Sequence, residues 1–391
     1  MQKKVINGIS TNVIFLGIVS LINDFSSELI VPILPLLIAS LGGTGIIIGL
    51  IGGVRDCIAS IIKFYFGHLS DHKRKRKRFI LSGYLTSASF KLLLVISKTW
   101  QQVLIFAGLE RLGKGMRTAP IDALISESMP KNKGKGFGIH RTLDTTGAVL
   151  GAMTAFVLFW YFDFSFQKII FIAAILGFIA IIPLAFVKEK NKKKTTNHSM
   201  KWEIKKLPKQ VKLFIFISTI FALANFSYMF FILKASNFLP GKLGLAVPIL
   251  LYIFFNLFYL TFAIPMGKLS DHIGRKRVLI YGYTLFSIVS LGFIFANTIT
   301  FFVVLFALYG LVYAMIEGNQ RALISDLSSE EHRGSALGLF HTCIGVTALP
   351  ASLIAGILWD INPTMTFAFG SIVSLISVLL FISLKKHIRK K

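Results

Sequence analysis

Charge is scarce in this chain of 391 residues: 15% are Asp, Glu, Lys or Arg, and acids are rarer still, 17 against 43 bases. Cysteine is nearly absent. Cys57 and Cys343 both lie inside apolar runs, so a disulfide framework, a C-x-x-C motif and metal-ligand spacing are excluded. A Walker phosphate loop, a G-x-S-x-G elbow and an H-E-x-x-H zinc motif are missing too, which removes support for ATP-driven pumping and the commonest hydrolase chemistries. No Ser/His or Cys/His set puts a nucleophile beside a base at one depth. The chain is therefore not expected to be an enzyme, and no cofactor or metal is expected.

What fills the chain is apolar surface. It is 54% hydrophobic with 37 Phe, and its mean hydropathy is +0.71, far from an ordinary soluble domain. A bilayer core about 30 Å thick needs roughly 20 apolar residues per helical span. Twelve such stretches are expected, at 11–40, 45–66, 79–97, 101–126, 136–159, 166–187, 213–238, 243–266, 278–296, 301–325, 334–359 and 366–384. The first starts too late, is too polar and lacks a small-residue cleavage site, so it is not a removable signal peptide.

The net charge of +26 would suit nucleic acid, but its placement points elsewhere. With the N-terminus inside, the cytoplasmic segments receive MQKK, KRKRKR, KNKGK, the Lys-rich stretch 188–212, GRKR, HRG and the tail KKHIRKK; the outward loops keep Lys98, Lys168 and Lys242. That asymmetry is the positive-inside rule, with both termini cytoplasmic in the cell's inner membrane. Contact of the basic runs with lipid headgroups comes second. No basic stripe is interleaved with aromatics on a soluble surface, so no nucleic-acid partner is expected.

One string occurs twice: "GHLSDH" from Gly67 and "GKLSDH" from Gly267. After a one-residue gap, "SGY" at 82–84 answers "YGY" at 281–283, and "DALISES" at 122–128 answers "RALISDL" at 321–327; Lys133-Gly134 and Gly138 then match Arg333-Gly334 and Gly338. Two parallel halves follow, 1–187 and 213–391, joined by the basic linker 188–212. Parallel repeats place a substrate site at the midplane between halves, served by alternating access.

"GKLSDHIGRKR" satisfies the G-x-L-x-D-x-x-G-R-K/R signature between spans two and three of the major facilitator superfamily, which this chain resembles; the first copy has Arg74 where the family has Gly. "RLGKG" (Arg111 to Gly115) is similar to the family's R-x-x-x-G element in span four, and "VPILP" in span one to the paired prolines of many exporters. The "NDxxSE" first span and "RxGKGxRxAPxDAL" fourth span resemble a prokaryotic permease subgroup. The resemblance implies an all-α integral membrane fold of 12 transmembrane helices in two pseudo-symmetric six-helix bundles, working as a monomer. It also implies that spans one, two, four and five line the cavity. Antiporters of the family carry a central Pro in their span-five glycine motif, which "GAVLGA" lacks; the Gly147–Gly151 G-x-x-x-G remains as a packing element.

Gly67, Asp71, Gly267, Asp271 and Arg275 form the expected gating motif. An Asp just past the inner end of a span accepts hydrogen bonds from the exposed amides of a neighbouring helix, where the dipole is positive. Pseudo-symmetry pairs Asp71 with the helix start near Gly334, and Asp271 with that near Gly136. The resemblance implies that such latches favour the outward-open state. The competing reading is an Asp that only shapes a tight turn.

Charges at bilayer depth are expensive, so they should face the interior and be paired. At 1.5 Å per residue, Asp24, Arg55, Asp56, Glu110 and Arg111 reach one depth. Span five adds Arg141 and Asp144, three apart on one face. Lys91 in span three stands outside this pattern. Asp24 and Glu28 share a helix face without a cation on their own span, and either would carry a proton, unless a partner such as Arg111 holds Asp24 as a structural ion pair. Glu110 with Lys114, and Arg141 with Asp144, have the spacing of structural pairs. The second half offers Asn225, Tyr228, Glu317 and His341 as a softer cavity wall, with His341 read mainly as a packing residue.

The expected function is a secondary transporter for a small organic solute, proton-coupled and outward, with protons and membrane lipid as its other partners. The arginines leave an organic-anion or zwitterion importer, or a uniporter, as the alternative. A lipid transporter or a membrane enzyme ranks below both.

Overall fold

The computed structural model describes residues 5–6, 9–73, 75–130, 132–189, 207–329 and 332–383. A short antiparallel pair, β1 (Val5–Ile6) and β2 (Ile9–Ser10), precedes the first helix; among the described residues after it, helices joined by short connections make up the chain. Pro32 cannot donate to the helix ladder, and the first span is accordingly two helices, α1 (Thr11–Ile30) and α2 (Leu34–Ser40). Then come α3 (Gly45–Lys73), α4 (Arg76–Val95), α5 (Trp100–Ser128), α6 (Lys133–Trp160) and α7 (Phe166–Ile179), the last followed by a 3₁₀ turn at Ile182–Phe186.

The second half starts earlier than position 213, at α8 (Lys209–Ala224), and breaks at 225–228 before α9 (Met229–Ser236). It continues with α10 (Gly241–Ile273), α11 (Arg275–Phe295), α12 (Ile299–Leu327), α13 (Arg333–Ile361) and α14 (Pro363–Ser383). Among the described residues, eleven spans are long and apolar enough to cross a membrane. The twelfth is α5. Its 29 residues reach far enough at 1.5 Å each, but Glu110, Arg111, Lys114 and Arg117 lower its hydropathy.

Helix starts repeat between the halves. Thr99 accepts a hydrogen bond from the Gln102 amide at the start of α5, and Thr298 accepts one from Phe301 at the start of α12, each satisfying an orphan donor. Gly274, between α10 and α11, sits at φ +97°, a conformation that suits glycine. Its counterpart Arg74 lies outside the described residues.

The chain divides into two compact units: Met1–Gly42 with Val54–Asn197, and Gly43–Gly53 with His198–Lys391. In the first, α1 packs on α6 and α7, and α4 on α5 and α7; in the second, α8 packs on α13 and α14, and α11 on α12 and α14. The pairings are the same, as expected of a duplication. The first nine residues of α3 belong with the second unit because Gly45, Gly49 and Gly53 leave no room for a side chain against Gly356, Ser352 and Leu349. There the Asp360 carboxylate accepts from the amides of Gly45 (2.6 Å) and Ile46 (2.9 Å), capping a helix start that has no cap of its own.

Candidate functional site

In the first unit α1 and α6 run side by side. A side chain at Gly147 would strike the Leu21 carbonyl, and one at Gly151 the Phe25 carbonyl, so the G-x-x-x-G brings backbone onto backbone. That register sets Ser20 and Asp24 against Asp144. Ser20 donates to Asp144 Oδ1 (2.6 Å) and Arg141 to Asp144 Oδ2 (3.0 Å), while the Asp24 carboxyl faces that of Asp144, with Lys114 and Arg117 among the cations around it. Asn23 donates to Asp24 at 3.1 Å. The Arg141–Asp144 pair is as the spacing suggested; the partner of Asp24 is another acid, not Arg111. Glu28 is half-buried on the same helix, one turn further along.

A second cluster joins α3, α4 and α5. Glu110 is 6% exposed and meets Arg111 at 3.4 Å and Arg55 at 4.0 Å. This corrects the expected Glu110–Lys114 pair: Arg55 approaches the carboxylate from α3, a partner that spacing along α5 does not reveal. Lys91 is buried, and its ammonium donates to Ser26 (2.7 Å) and Ser27 (2.9 Å) on α1. Span three therefore reaches the charged interior. Arg117 donates to Ser87 (2.8 Å) and lies over the Tyr84 ring. Asp56 is exposed and takes no part in the Arg55 cluster.

In the second unit a cavity of about 230 Å³ opens between α8, α12 and α13. It gathers Asn225, Glu317 and His341, but not Tyr228, whose ring lies 5.7 Å from that of Tyr252. Asn225 ends α8 and donates to Tyr313 at 3.5 Å, while its buried Oδ1 meets no donor among the described residues. Tyr259 donates to Glu317 at 2.5 Å, and Arg321 also pairs with Glu317. His341 lines this cavity, with its ring 5.2 Å from that of Phe340. Tyr313 and Gln320 complete the polar wall and were missed; Tyr309, Tyr313, Glu317 and Arg321 recur every four residues, a one-face signal hidden by the surrounding Phe-rich sequence.

The gating motif lies inside helices. Asp71 and Asp271 fall in the last turns of α3 and α10, not past them, because both helices outrun the apolar stretch by several residues. Ser70 donates to Gly67 and Ser270 to Gly267 in the same way. Arg275 bridges Asp271 (3.6 Å) and Asp326 (2.8 Å) within the second unit. The Asp71 side chain lies outside the described residues.

Two helical units with repeated pairings, each with polar groups between apolar helices, match a known fold. Residues 16–246 and 217–391 fit the description Major Facilitator Superfamily. The chain belongs to that superfamily. An uncharacterized MFS-type transporter of Methanocaldococcus jannaschii is 55% identical over 377 residues, covering 96% of this chain and 95% of its own. The quinolone resistance protein NorA of Staphylococcus aureus is 24% identical, covering 96% of this chain and 94% of its own. Among solved structures, the nucleoside transporter NupG overlays with a TM-score of 0.78 at 15% identity, over 98% of this chain and 100% of that one. A POT family transporter gives 0.79 at 12% identity, over 100% of this chain and 99% of that one. This superfamily member is thus a multi-pass membrane carrier of small molecules, and not an enzyme.

Proposed function

We propose that the protein is a proton-coupled secondary transporter that exports a small organic solute by alternating access, as a monomer in the cytoplasmic membrane with both termini inside. The observation that carries the proton is the Asp24–Asp144 contact between α1 and α6. Two carboxyls that face each other hold a proton between them, because their like charges oppose double ionisation. Ser20 and Arg141 occupy the Asp144 oxygens, which leaves Asp24 as the member that exchanges it. Glu28 drops to second place as a carrier.

The cavity of the second unit supports the solute side. Phe221, Phe340 and Tyr313 give it flat apolar walls, and Asn225, Gln320 and Glu317 give it polar anchors, the composition of a small-molecule site. A ring-bearing solute fits that wall. Relatives named for quinolone resistance and multidrug resistance, and a fold neighbour named as a nucleoside transporter, agree with it.

The test is solute flux in proteoliposomes under an imposed pH gradient, with ring-bearing solutes as the panel. Gradient-driven accumulation is expected for the wild type and its loss for Asp24→Asn, with Glu28→Gln affected less. If Asp24→Asn still accumulates solute against its gradient, the proton assignment fails. If pH gradients never drive flux, the anion importer or uniporter, which the basic side chains of the first unit favour, replaces it.

A further inference from the structure

Gln320 lines the cavity of the second unit and is only 7% exposed. Its Nε2 donates to the Tyr283 hydroxyl at 2.8 Å. Tyr283 is fixed in turn: it is fully buried, its ring stacks on that of Phe221 at 3.9 Å, and its hydroxyl lies 3.4 Å from Ser218 Oγ. With the nitrogen committed there, the orientation of the amide is set, and Oε1 takes no hydrogen bond among the described residues. Asn225 on the same wall repeats the arrangement: Nδ2 donates to Tyr313 at 3.5 Å, and Oδ1 is buried without a donor. Arg321 meanwhile directs Nε and one Nη nitrogen at Glu317 on its own helix. Each amide therefore leaves an acceptor open, and an acceptor withdrawn from water and left unmade is costly.

Resting on the reading of this cavity as the solute site, we propose that Gln320 selects solutes whose ring carries an N–H donor, an aromatic amine or a lactam, by accepting that hydrogen at Oε1. Phe221 and Phe340 supply flat apolar contact, which is indifferent to the chemistry of the ring edge; a fixed polar group supplies the selection. An analogue of the same shape without the hydrogen leaves the oxygen unmade, which is how a site built to hydrogen-bond a solute rejects an isostere. At about 230 Å³ the cavity is below the roughly 300–1,000 Å³ of drug-sized sites, so one compact ring system fills it.

Equilibrium dialysis of the full-length protein in detergent against 3-aminoquinoline and 3-methylquinoline tests this, because the two match in ring and size, are uncharged at neutral pH and differ in the N–H. The wild type should bind both saturably and the amine about tenfold more tightly, a difference of about 1.4 kcal/mol. Gln320→Met removes the acceptor at similar volume and should erase the preference. Tyr283→Phe keeps Gln320 but frees its amide to turn, and should reduce the preference. A purely structural role for Gln320 would weaken both compounds alike and leave their ratio as it was. Melting curves without ligand establish that each variant is folded, and Tyr283→Phe carries the test if Gln320→Met is not. Equal affinities in the wild type, or a folded Gln320→Met that keeps the preference, would overturn selection by Gln320 while leaving the ring-bearing solute in place. An unchanged preference in Tyr283→Phe, where Gln320→Met does not fold, would do the same. Binding of neither compound would instead remove the ring-bearing solute from this cavity, and the selection with it.

Discussion

Arg55 and Glu110 in the first unit fall, by the register of the repeat, at Phe255 and Tyr309 in the second. The first pair is an ion pair at 4.0 Å; the second is an aromatic contact with ring centroids 4.9 Å apart. Lys91 likewise corresponds to Ser290, whose hydroxyl donates to the Phe367 carbonyl at 2.8 Å. On the facing helix, Arg141 and Asp144 correspond to His341 and Ile344, both lining the second unit's cavity. Gly147 and Gly151 correspond to Thr347 and Ala351, whose Cβ atoms deny α8 and α13 the backbone contact that α1 and α6 make. One helix framework thus carries two interiors. The first is charged and tightly closed over its acids; the second is aromatic and leaves a space. The proposed function assigns ion coupling to the former and solute to the latter, because charge rewards exact partners and rings tolerate varied ones.

The comparison breaks most completely at Asp24. Asp24→Asn should abolish gradient-driven flux while leaving solute binding in the second unit, read by ligand-induced thermal stabilisation. Loss of both would mean that the interiors do not divide the work. Glu110→Gln comes next. It leaves Arg55 and Arg111 buried without their carboxylate, which is worth about 3–5 kcal/mol, read as a lower unfolding temperature in detergent. The register-equivalent change Tyr309→Phe removes a neutral hydroxyl, which meets Tyr313 at 3.5 Å, and should cost less, about 1 kcal/mol. Equal effects would erase the distinction between charged and aromatic interiors.

A smaller effect is expected at the glycines. Gly151→Leu drives a side chain into the Phe25 carbonyl and should destabilise by about 1–3 kcal/mol, as overpacking does. It should also lower flux, because Asp24 and Asp144 are held together by the same approach. A Gly151→Leu protein with normal coupling would separate the acid contact from the helix contact.

Much of this was legible in the sequence. Apolar run lengths located the spans, and the twice-written Gly-x-Leu-Ser-Asp-His string exposed the duplication. Polar residues in apolar runs marked Asp24, Arg55, Glu110 and Asp144, all buried or half-buried, whereas Arg141 beside them is exposed. Their partners were another matter. Spacing along a helix found Arg141–Asp144, whereas Asp24–Asp144, Arg55–Glu110 and Lys91–Ser26 join different helices, and their register depends on where glycines allow close approach. The cavity of the second unit was half visible: Asn225, Glu317 and His341 stood out as polar, but Tyr313 carries a hydroxyl on an aromatic ring that hydropathy barely registers, and Gln320 sits beside Arg321 near the end of its helix. The break at 225–228 contains no proline and gave no warning.

The finest contrast lies at the helix ends near the Gly-x-Leu-Ser-Asp-His strings, where the repeat preserves an interaction but not its surroundings. Arg76 meets Glu127 at 2.7 Å with side chains 7% and 23% exposed, and Arg275 meets Asp326 at 2.8 Å with side chains 26% and 54% exposed. Glu127 and Asp326 are register equivalents in the "DALISES" and "RALISDL" strings. Geometry being equal, water decides the difference. The exposed pair is screened and contributes about 0–1 kcal/mol, whereas the shielded pair is screened much less by water and salt. Glu127→Gln should therefore destabilise more than Asp326→Asn, and raising the salt concentration should narrow the gap between Asp326→Asn and the wild type while leaving that of Glu127→Gln nearly unchanged. Melting curves at low and high salt read both. An inverted order would show that the two ion pairs, though written by one repeat, no longer serve the same end of the fold.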